Sequence, residues 1–284
     1  MTDLPVLGRD ALSAVAALCR RSLPDAPTAD ELEGAIFAPD QPAVVRGDPA
    51  VGVVASVESD AGAHVRLIVV DPTARGRGHG HALLESAEAT ARAGGHRSLT
   101  VGADPPYFLW PGTPSTATAL LCLLERRHYA RVDTNFDMTV DLTAIPDDPG
   151  GHALATAADR GEVDTWMATH WPNWRPEVLR ALDKGNLVLA RDGGPNRDGG
   201  GGGGDVVAFC AFEVNRTGLL GPVAVRPDLM GRGRGRSVLL GALHELRRRG
   251  RDRVAVVWVG PVVPYAAVGG LVSTVYFVYR RELG

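Results

Sequence analysis

The chain has few cysteines, no long apolar run and little net charge, and each absence excludes a class of protein. Three cysteines among 284 residues, Cys19, Cys122 and Cys210, show no paired Cys or His spacing. A disulfide framework and a structural zinc site are therefore not expected. No segment approaches eighteen uninterrupted apolar residues, and no basic stretch followed by an apolar run opens the sequence. We therefore expect a cytoplasmic protein without a membrane span.

The charge balance indicates no highly charged partner. Thirty basic and 33 acidic residues give a net charge of −3, which is too small to indicate nucleic acid or an anionic membrane as a partner. With 45% hydrophobic residues, the chain is long enough to bury two cores of ordinary size. Bulk charge therefore names no partner, and the sequence leaves open whether the chain forms a homodimer.

One glycine-rich signature occurs twice. Residues 70–80 read VDPTARGRGHG and residues 225–235 read VRPDLMGRGRG. The offset of 155 residues (225 − 70) holds without a gap as far as Val101 and Val256, which indicates two related halves. Residues 144–151 combine prolines, glycines and acids and suit a linker. The predicted domains are therefore residues 1–144 and 145–284.

Both halves show the same predicted order of elements around this signature. In the first half we predict helices over 10–21 and 82–93 and strands over 43–46, 51–58, 64–70 and 98–101. In the second half we predict helices over 162–170, 176–183 and 237–249 and strands over 187–191, 206–215, 218–225 and 253–259. The glycine run 199–204 favours a mobile excursion between two strands. Each signature thus joins a strand to a helix, and the next strand is expected to be parallel to the first.

A strand that turns through alternating glycines into a helix suits an anionic ligand. The turn exposes backbone N–H groups, and the helix start adds unpaired amides with a partial positive charge. The spacing G-x-G-x-G differs from the dinucleotide pattern G-x-G-x-x-G, and neither loop ends in the Gly-Lys-Ser/Thr of a Walker loop. We predict pyrophosphate binding, with a structural turn carrying solvated arginines as the alternative.

At these residues the chain resembles the GNAT superfamily of acyl-CoA-dependent N-acetyltransferases, whose hallmark is Val-x-Pro-x-x-Gln/Arg-x-x-Gly-x-Gly/Ala. The first signature matches it in full at Val70, Pro72, Arg75, Gly78 and Gly80. The second has Met230 at the Gln/Arg position. The resemblance implies an α+β fold of two GNAT-type domains in tandem, each a mixed, mostly antiparallel sheet flanked by helices. It also implies acetyl-CoA or another short acyl-CoA as cofactor, and no metal.

The resemblance places the cofactor on the loop and on the strand before it. In the second half the implied contacts are Val223, Ala224, Val225, Gly231, Arg232, Gly233, Arg234, Gly235, Arg236 and Ser237. In the first half they are Val70, Arg75, Gly76, Arg77, Gly78, His79 and Gly80. The loop residues would hold the pyrophosphate, and the strand residues would hold the pantetheine arm through their backbone.

Family members often protonate the leaving thiolate with a tyrosine that lies shortly before a Gly-small pair. Tyr265 stands in this position, whereas the corresponding segment of the first half has Leu124. We therefore predict catalysis in the second half with Tyr265 as general acid, against the alternative of a packed ring with a bonded hydroxyl. Glu213 is the preferred general base and His170 the second choice. Their alternatives are a solvated strand glutamate, a structural histidine, and a reaction without a side-chain base.

Aromatic residues mark the expected acceptor side. His170, Trp171 and Trp174 are predicted to wall a substrate pocket, or else to cover the core beneath a turn. For residues 107–110 of the first half, packing is favoured. The predicted activity is direct transfer of an acetyl group from acetyl-CoA to a primary amine of a small molecule or peptide. The alternatives are a non-catalytic acyl-CoA-binding regulatory or interaction module, and an enzyme whose first half is the active one.

Overall fold

The computed structural model describes residues 4–38, 41–59, 62–193 and 204–284. The chain divides into two compact units, and each combines segments that are distant in sequence. Unit 1 comprises Met1–Asn135 with Thr274–Gly284, and unit 2 comprises Phe136–Ser273. The excursion predicted around the glycine run lies almost wholly outside the described residues. Among the described residues, no helix has the length and apolar character that crossing a membrane requires.

The elements of the first part of the chain follow the predicted order with two additional helices. They are β1 (Val6–Leu7), α1 (Leu12–Ser22), α2 (Ala29–Ile36), β2 (Val44–Asp48), β3 (Gly52–Ser59), β4 (Gly62–Val70), α3 (His79–Ala93), β5 (Ser98–Val101), β6 (Thr113–Pro114), α4 (Thr118–Arg126) and β7 (Ala130–Asp141). The additional helices are α2 and α4. A capping box between Thr28 and Glu31 begins α2, because each side chain accepts a hydrogen bond from the backbone N–H of the other residue.

The second part of the chain repeats this order. Its elements are β8 (Ala153–Leu154), α5 (Arg160–His170), α6 (Arg175–Asp183), β9 (Leu187–Arg191), β10 (Val206–Phe212), β11 (Leu219–Val225), α7 (Arg234–Arg248), β12 (Arg253–Val256), α8 (Val262–Ala266) and β13 (Leu271–Glu282). The 155-residue offset is kept in three dimensions, since it relates α3 to α7 and β5 to β12 residue by residue. The predicted strand 253–259 ends early, because Trp258 adopts a left-handed φ of +52°.

Each unit has a mixed, mostly antiparallel sheet. The strand order is β1-β2-β3-β4-β5-β13 in unit 1 and β8-β9-β10-β11-β12-β7 in unit 2. Neighbouring strands are antiparallel except β4 with β5 and β11 with β12, which are parallel. Helices α1 and α2 pack on one face of the unit 1 sheet and α3 on the other. In unit 2, α5 and α6 cover one face and α7 the other.

The last strand of each sequence half belongs to the sheet of the other unit. Residues of β13 complete unit 1, where Tyr279 lies opposite Val101, and residues of β7 complete unit 2, where Met138 lies opposite Val256. This differs from the division at residues 144 and 145 predicted from sequence. The reason is that an alternating strand fits the edge of either related sheet, so the repeat does not specify which sheet it joins.

A buried carboxylate anchors β13 to unit 1. Glu88 on α3 is 2% exposed and accepts hydrogen bonds from Arg127, from the hydroxyl of Tyr129 and from Arg281 of β13. Removing one partner of such a buried charged network leaves the others uncompensated, which is strongly destabilising. The end of the chain is thus an integral part of the first folded unit.

Candidate active site

The two glycine loops have the same backbone conformation. In unit 2, Gly231 and Gly233 have φ values of +78° and +79°, and in unit 1 Gly76 and Gly78 have +75° and +87°. These left-handed values favour glycine. A Cβ added at Gly78 or Gly233 would meet no atom within 4 Å, so the space over each loop is open. Gly78 and Gly233 are also the N-caps of α3 and α7.

The start of each helix supplies the donors for an anion. The first-turn N–H groups of α3 and α7 have no acceptor within their own helix, and they lie at the positive end of the helix dipole. Arg232 is exposed beside the second loop. Arg75 in the first loop instead donates hydrogen bonds to the carbonyls of Val70 at 3.3 Å and Ser22 at 3.1 Å. Its guanidinium therefore fastens the loop to α1, a contact that Met230 does not make with its 57% exposed side chain.

A cavity of about 400 Å³ lies beside the second loop. Its lining residues are Pro149, Gly150, Gly151, Asp192, Leu229, Arg232, Gly233, Arg234 and Ser237. The hydroxyl of Ser237 donates to the carbonyl of Gly150 at 2.6 Å, and Nδ1 of His152 lies 3.3 Å from the Ser237 hydroxyl oxygen. The Ser237 side chain, predicted as a cofactor contact, is therefore engaged by the linker segment.

The parallel strands diverge beside each loop. Strands β11 and β12 pair only at Leu219 and Leu220, and the last bond between them joins Val257 N–H to the Leu220 carbonyl at 3.1 Å. Within the described residues, no backbone pairing joins 221–225 to β12. One edge of the predicted segment Val223–Val225 thus faces a gap between strands, while its other edge pairs with β10. The open edge offers peptide groups to an extended ligand.

A β-bulge marks the start of this divergence in both units. Cys210 faces Val223 and Phe212 faces Leu220, so Gly221 and Pro222 together stand opposite one residue of β10. In unit 1 the corresponding irregularity leaves Arg66 as the extra residue, and the 155-residue offset relates Arg66 to Gly221. Sequence reasoning missed both residues, although the repeat itself aligns them.

Tyr265 is the residue that the sequence predicts to act on the leaving thiolate. It is half-buried on α8 and packs against the α7 side of the sheet. Burial, with a further contribution from the nearby Cys210 thiol, raises the pKa of Tyr265 to about 12. The hydroxyl is therefore protonated at neutral pH, and within the described residues it makes no hydrogen bond. Because Cys210 lies opposite Val223 on the neighbouring strand, Tyr265 and the open edge of β11 belong to one region.

Glu213 does not occupy the position predicted for a general base. It adopts a left-handed φ of +46° in the turn between β10 and β11, at the opposite end of these strands from the glycine loop. Its Oε1 accepts hydrogen bonds from the Gly218 N–H at 2.9 Å and from Nε of Arg251 at 2.8 Å. The carboxylate therefore stabilises this turn, and Glu213 is not positioned to act as the general base.

The predicted aromatic residues pack on the other face of the unit 2 sheet. The rings of Trp171 and Trp174 stack with centroids 5.2 Å apart, and His170 lies 5.3 Å from Trp166. Both stacked indoles are half-buried against the core formed by α5, α6 and β10. Because successive side chains of a strand point to opposite faces, this cluster is separated from Tyr265 by the sheet. The sheet between these two faces is interrupted where β11 and β12 diverge.

Sequence reasoning also missed Trp258, which follows this divergence. Its φ of +52° is matched by +51° at Ala103 of unit 1, and its N–H donates to Oδ1 of the buried Asp137 at 2.9 Å. A left-handed conformation at a bulky residue is uncommon and persists only where the surrounding structure enforces it. The Asp137 carboxylate thus fixes the backbone at the edge of the gap.

Comparison with known families and structures identifies this architecture. Residues 25–107 match the family model described as an acetyltransferase (GNAT) domain, so the first part of the chain contains such a domain. A search of curated proteins gave no significant match. Solved structures similar to nearly the whole chain are described as GNAT or GCN5-related N-acetyltransferase proteins, and the chain shares their fold.

Three of these structures illustrate the likeness. The first is a GCN5-related glucosamine N-acetyltransferase region of a fungal multi-domain GH3 β-N-acetylglucosaminidase, with 20% identity, a TM-score of 0.77, and coverage of 98% of this chain and 38% of that protein. The second is a GCN5-related N-acetyltransferase from Sphaerobacter thermophilus, with 20% identity, a TM-score of 0.69, and coverage of 98% and 94%. The third is a tandem GNAT protein from the clavulanic acid biosynthesis pathway, with 18% identity, a TM-score of 0.67, and coverage of 98% of both chains. At these identities the likeness establishes the fold alone.

Proposed function

We propose that this chain is an acyl-CoA-dependent N-acyltransferase whose unit 2 carries the reaction. The observation that carries the proposal is the convergence of three features on the C-terminal half of β11. These are the glycine loop that follows it, the unpaired edge of Val223–Val225, and Tyr265 beside the strand's neighbour Cys210. Unit 1 shares the loop and the strand divergence but has no tyrosine at the position of Tyr265.

The residues of unit 2 fit the chemistry of acyl-CoA. The N–H groups at the start of α7 suit the diphosphate, and Arg232 and Arg234 add positive charge. The peptide groups of Val223–Val225 can bond the two amides of a pantetheine arm in the manner of an added strand. When bound, acyl-CoA supplies a thioester whose carbonyl carbon is activated toward an amine.

Tyr265 has a defined task in this proposal. The reaction forms a C–N bond and breaks the C–S bond, so the amine loses one proton and the thiolate gains one. A free thiol has a pKa of about 8.5, well below the value of about 12 for Tyr265. Complete proton transfer from the phenol is therefore unfavourable. Tyr265 instead donates a hydrogen bond that stabilises the developing thiolate, and solvent supplies and accepts the net protons.

The acceptor belongs on the opposite side of the gap from Tyr265. That side carries the stacked Trp171 and Trp174 and His170, and stacked indoles suit a ligand with an apolar face. We propose an amino sugar as the first acceptor to test, because the fungal region with the same fold is described as a glucosamine N-acetyltransferase. Glucosamine presents a primary amine on a ring whose C–H face can pack on an indole.

The test measures thiol release from acetyl-CoA with glucosamine and a panel of other primary amines, together with acetyl-CoA affinity by calorimetry. Gly233→Trp should abolish binding and turnover, because its side chain enters the open space over the loop. Gly250→Trp is the matched control, since Gly250 has a φ of +83° and an equally open Cβ position at the other end of α7. Each substitution carries a left-handed strain of about 1–2 kcal/mol, so both variants should fold.

The outcomes separate the competing functions. If Gly233→Trp binds and turns over like Gly250→Trp, unit 2 is not the working site. If only Gly78→Trp abolishes activity, the reaction belongs to unit 1. Tight binding by the wild-type chain without thiol release for any amine would support the alternative of an acyl-CoA-binding regulatory module.

A further inference from the structure

In unit 1, a buried charged side chain fills the space beside the β4 bulge. Arg66 is the extra residue of the β4 bulge, and its side chain is fully buried. Its Nε donates to Oδ2 of Asp104 at 2.5 Å. Other guanidinium hydrogens bond the carbonyl of Ala35 on α2 and both the carbonyl and Oε1 of Gln41. The guanidinium thus lies on the α1–α2 face, beside the divergence of β4 and β5.

The corresponding position in unit 2 is empty of side chain. Gly221, related to Arg66 by the 155-residue offset, has a φ of +135°, and a Cβ placed there would meet only Val257, at 3.8 Å and beyond. The two equivalent bulges therefore differ in how much space their residue leaves. A glycine leaves room beside the open edge of β11, whereas an arginine fills the same place beside β4.

The segments that follow β5 and β12 also differ, and again unit 1 is the more filled of the two. In unit 1, Tyr107, Phe108 and Leu109 are 3%, 6% and 1% exposed, and the ring of Tyr107 lies 5.3 Å from the Arg66 guanidinium. The segment of unit 2 that follows β12 is shorter, with residues 257–261 before α8 against residues 102–117 before α4, and Val262, Val263 and Pro264 of α8 are all exposed. One segment folds inward and covers the Arg66 site, while the other leaves its unit open.

We infer that Arg66 occupies the acceptor position of unit 1 as an internal cation, held by Asp104, and that Gly221 marks the open acceptor position of unit 2. The guanidinium stands where a cationic or amino group of an acceptor would lie, and its bonds to Asp104, Ala35 and Gln41 close the place to any ligand. The identification of this place as an acceptor position rests on the proposed acyl transfer. The presence of a cation site in unit 1 does not depend on turnover.

The cation site is tested by removing the side chain and supplying it again from solution. Arg66→Ala leaves Asp104 buried without its partner, and such a loss is strongly destabilising. We expect the melting temperature of the full chain to fall by about 5 °C or more. Ethylguanidine, which has the atoms that the variant lacks, should recover at least half of this loss at about 10 mM, whereas the neutral ethylurea should recover none.

Two variants control this measurement. Arg21→Ala removes an arginine of unit 1 that pairs with Asp71 but is 41% exposed in its side chain, and it should not respond to ethylguanidine. The double variant Arg66→Met with Asp104→Leu removes both charges and should also not respond. If Arg66→Ala refolds only when ethylguanidine is present, the inference is supported. No response of Arg66→Ala, or an equal response of Arg21→Ala, overturns it.

The acceptor position in unit 2 is tested by importing the side chain of unit 1. Gly221→Arg should lower kcat/KM for the amine at least 100-fold while the dissociation constant of acetyl-CoA stays within threefold. Gly221→Ala, which imposes the same backbone strain at a φ of +135° without the long side chain, is the control. Wild-type rates in Gly221→Arg would overturn the assignment. If the wild-type chain acylates no amine, the proposed function fails, and the ethylguanidine result still decides whether unit 1 holds a cation site.

Discussion

Glu177 should make unit 2 less stable as the pH rises. It lies in the first turn of α6 and is 4% exposed, with Oε1 accepting one hydrogen bond from Nδ2 of Asn215 at 2.9 Å. Burial raises the pKa of its carboxyl from 4.5 to about 8, although the positive charge of Arg180 and the Asn215 bond act in the opposite direction. The folded state therefore holds this proton at neutral pH.

The sign and size of the effect follow from proton linkage. Between pH 4.5 and 8 the folded state binds the proton more tightly than the unfolded state, so the free energy of unfolding falls as pH rises and levels off above pH 8. A shift of about 3.5 pH units (8 − 4.5) corresponds to about 5 kcal/mol at most. Relaxation around an ionised carboxylate reduces the observable share to about 2–3 kcal/mol.

Glu177→Gln removes the titration and keeps an oxygen to accept the Asn215 bond. We expect the variant to match the wild type near pH 4.5 and to exceed its unfolding free energy by about 2–3 kcal/mol at pH 8.5. Denaturant unfolding followed by tryptophan fluorescence reports this, because Trp166, Trp171, Trp174 and Trp258 all lie in unit 2. Groups common to both proteins cancel in the difference. A difference that stays constant from pH 4.5 to 8.5 would refute the reasoning.

Two further predictions concern the reaction and the chain end. Tyr265→Phe should lower kcat by about 100-fold, because the hydrogen bond to the leaving sulfur is lost. The acetyl-CoA affinity measured by calorimetry should not change. A variant with the full wild-type rate would show that Tyr265 does not have this role. Deleting residues 274–284 should abolish the cooperative unfolding of unit 1, since it removes most of β13, which pairs with both β5 and β6. The deletion also removes the buried Val278, Tyr279 and Leu283, whose burial contributes about 5 kcal/mol or more. Calorimetry and limited proteolysis measure this loss, and an unchanged unit 1 transition would show that β13 is dispensable.

The local features were predictable because they depend on short segments. Proline followed by alternating glycines specifies the turn into α3 and α7, where the structure has left-handed glycines at Gly78 and Gly233. The alternation of β4 and the helical periodicity of α3 likewise gave elements within a few residues of their observed bounds. The fold class was implied by the family resemblance, and the repeat indicated two related halves.

What the sequence did not predict depends on contacts between distant residues. The role of Glu213 was inferred from a strand position, but its carboxylate is engaged by Arg251, 38 residues away, and the turn places it far from the loop. The exchange of β7 and β13 escaped prediction because either strand satisfies the pattern of an edge strand. Arg66 shows the same limit, since its partner Asp104 lies 38 residues further along the chain.

Two nearly identical loops therefore do not imply two equal sites. The loop conformation is fixed by its own glycines, so it persists in both units whatever the surrounding residues do. Access for an acceptor depends instead on the bulge residue and on the segment after the parallel strand. A buried, fully bonded arginine at the bulge stabilises unit 1 only if nothing else must enter there, whereas a glycine contributes no packing and leaves room for a ligand. The asymmetry at Arg66 and Gly221 thus points to a division between a closed unit and an open one.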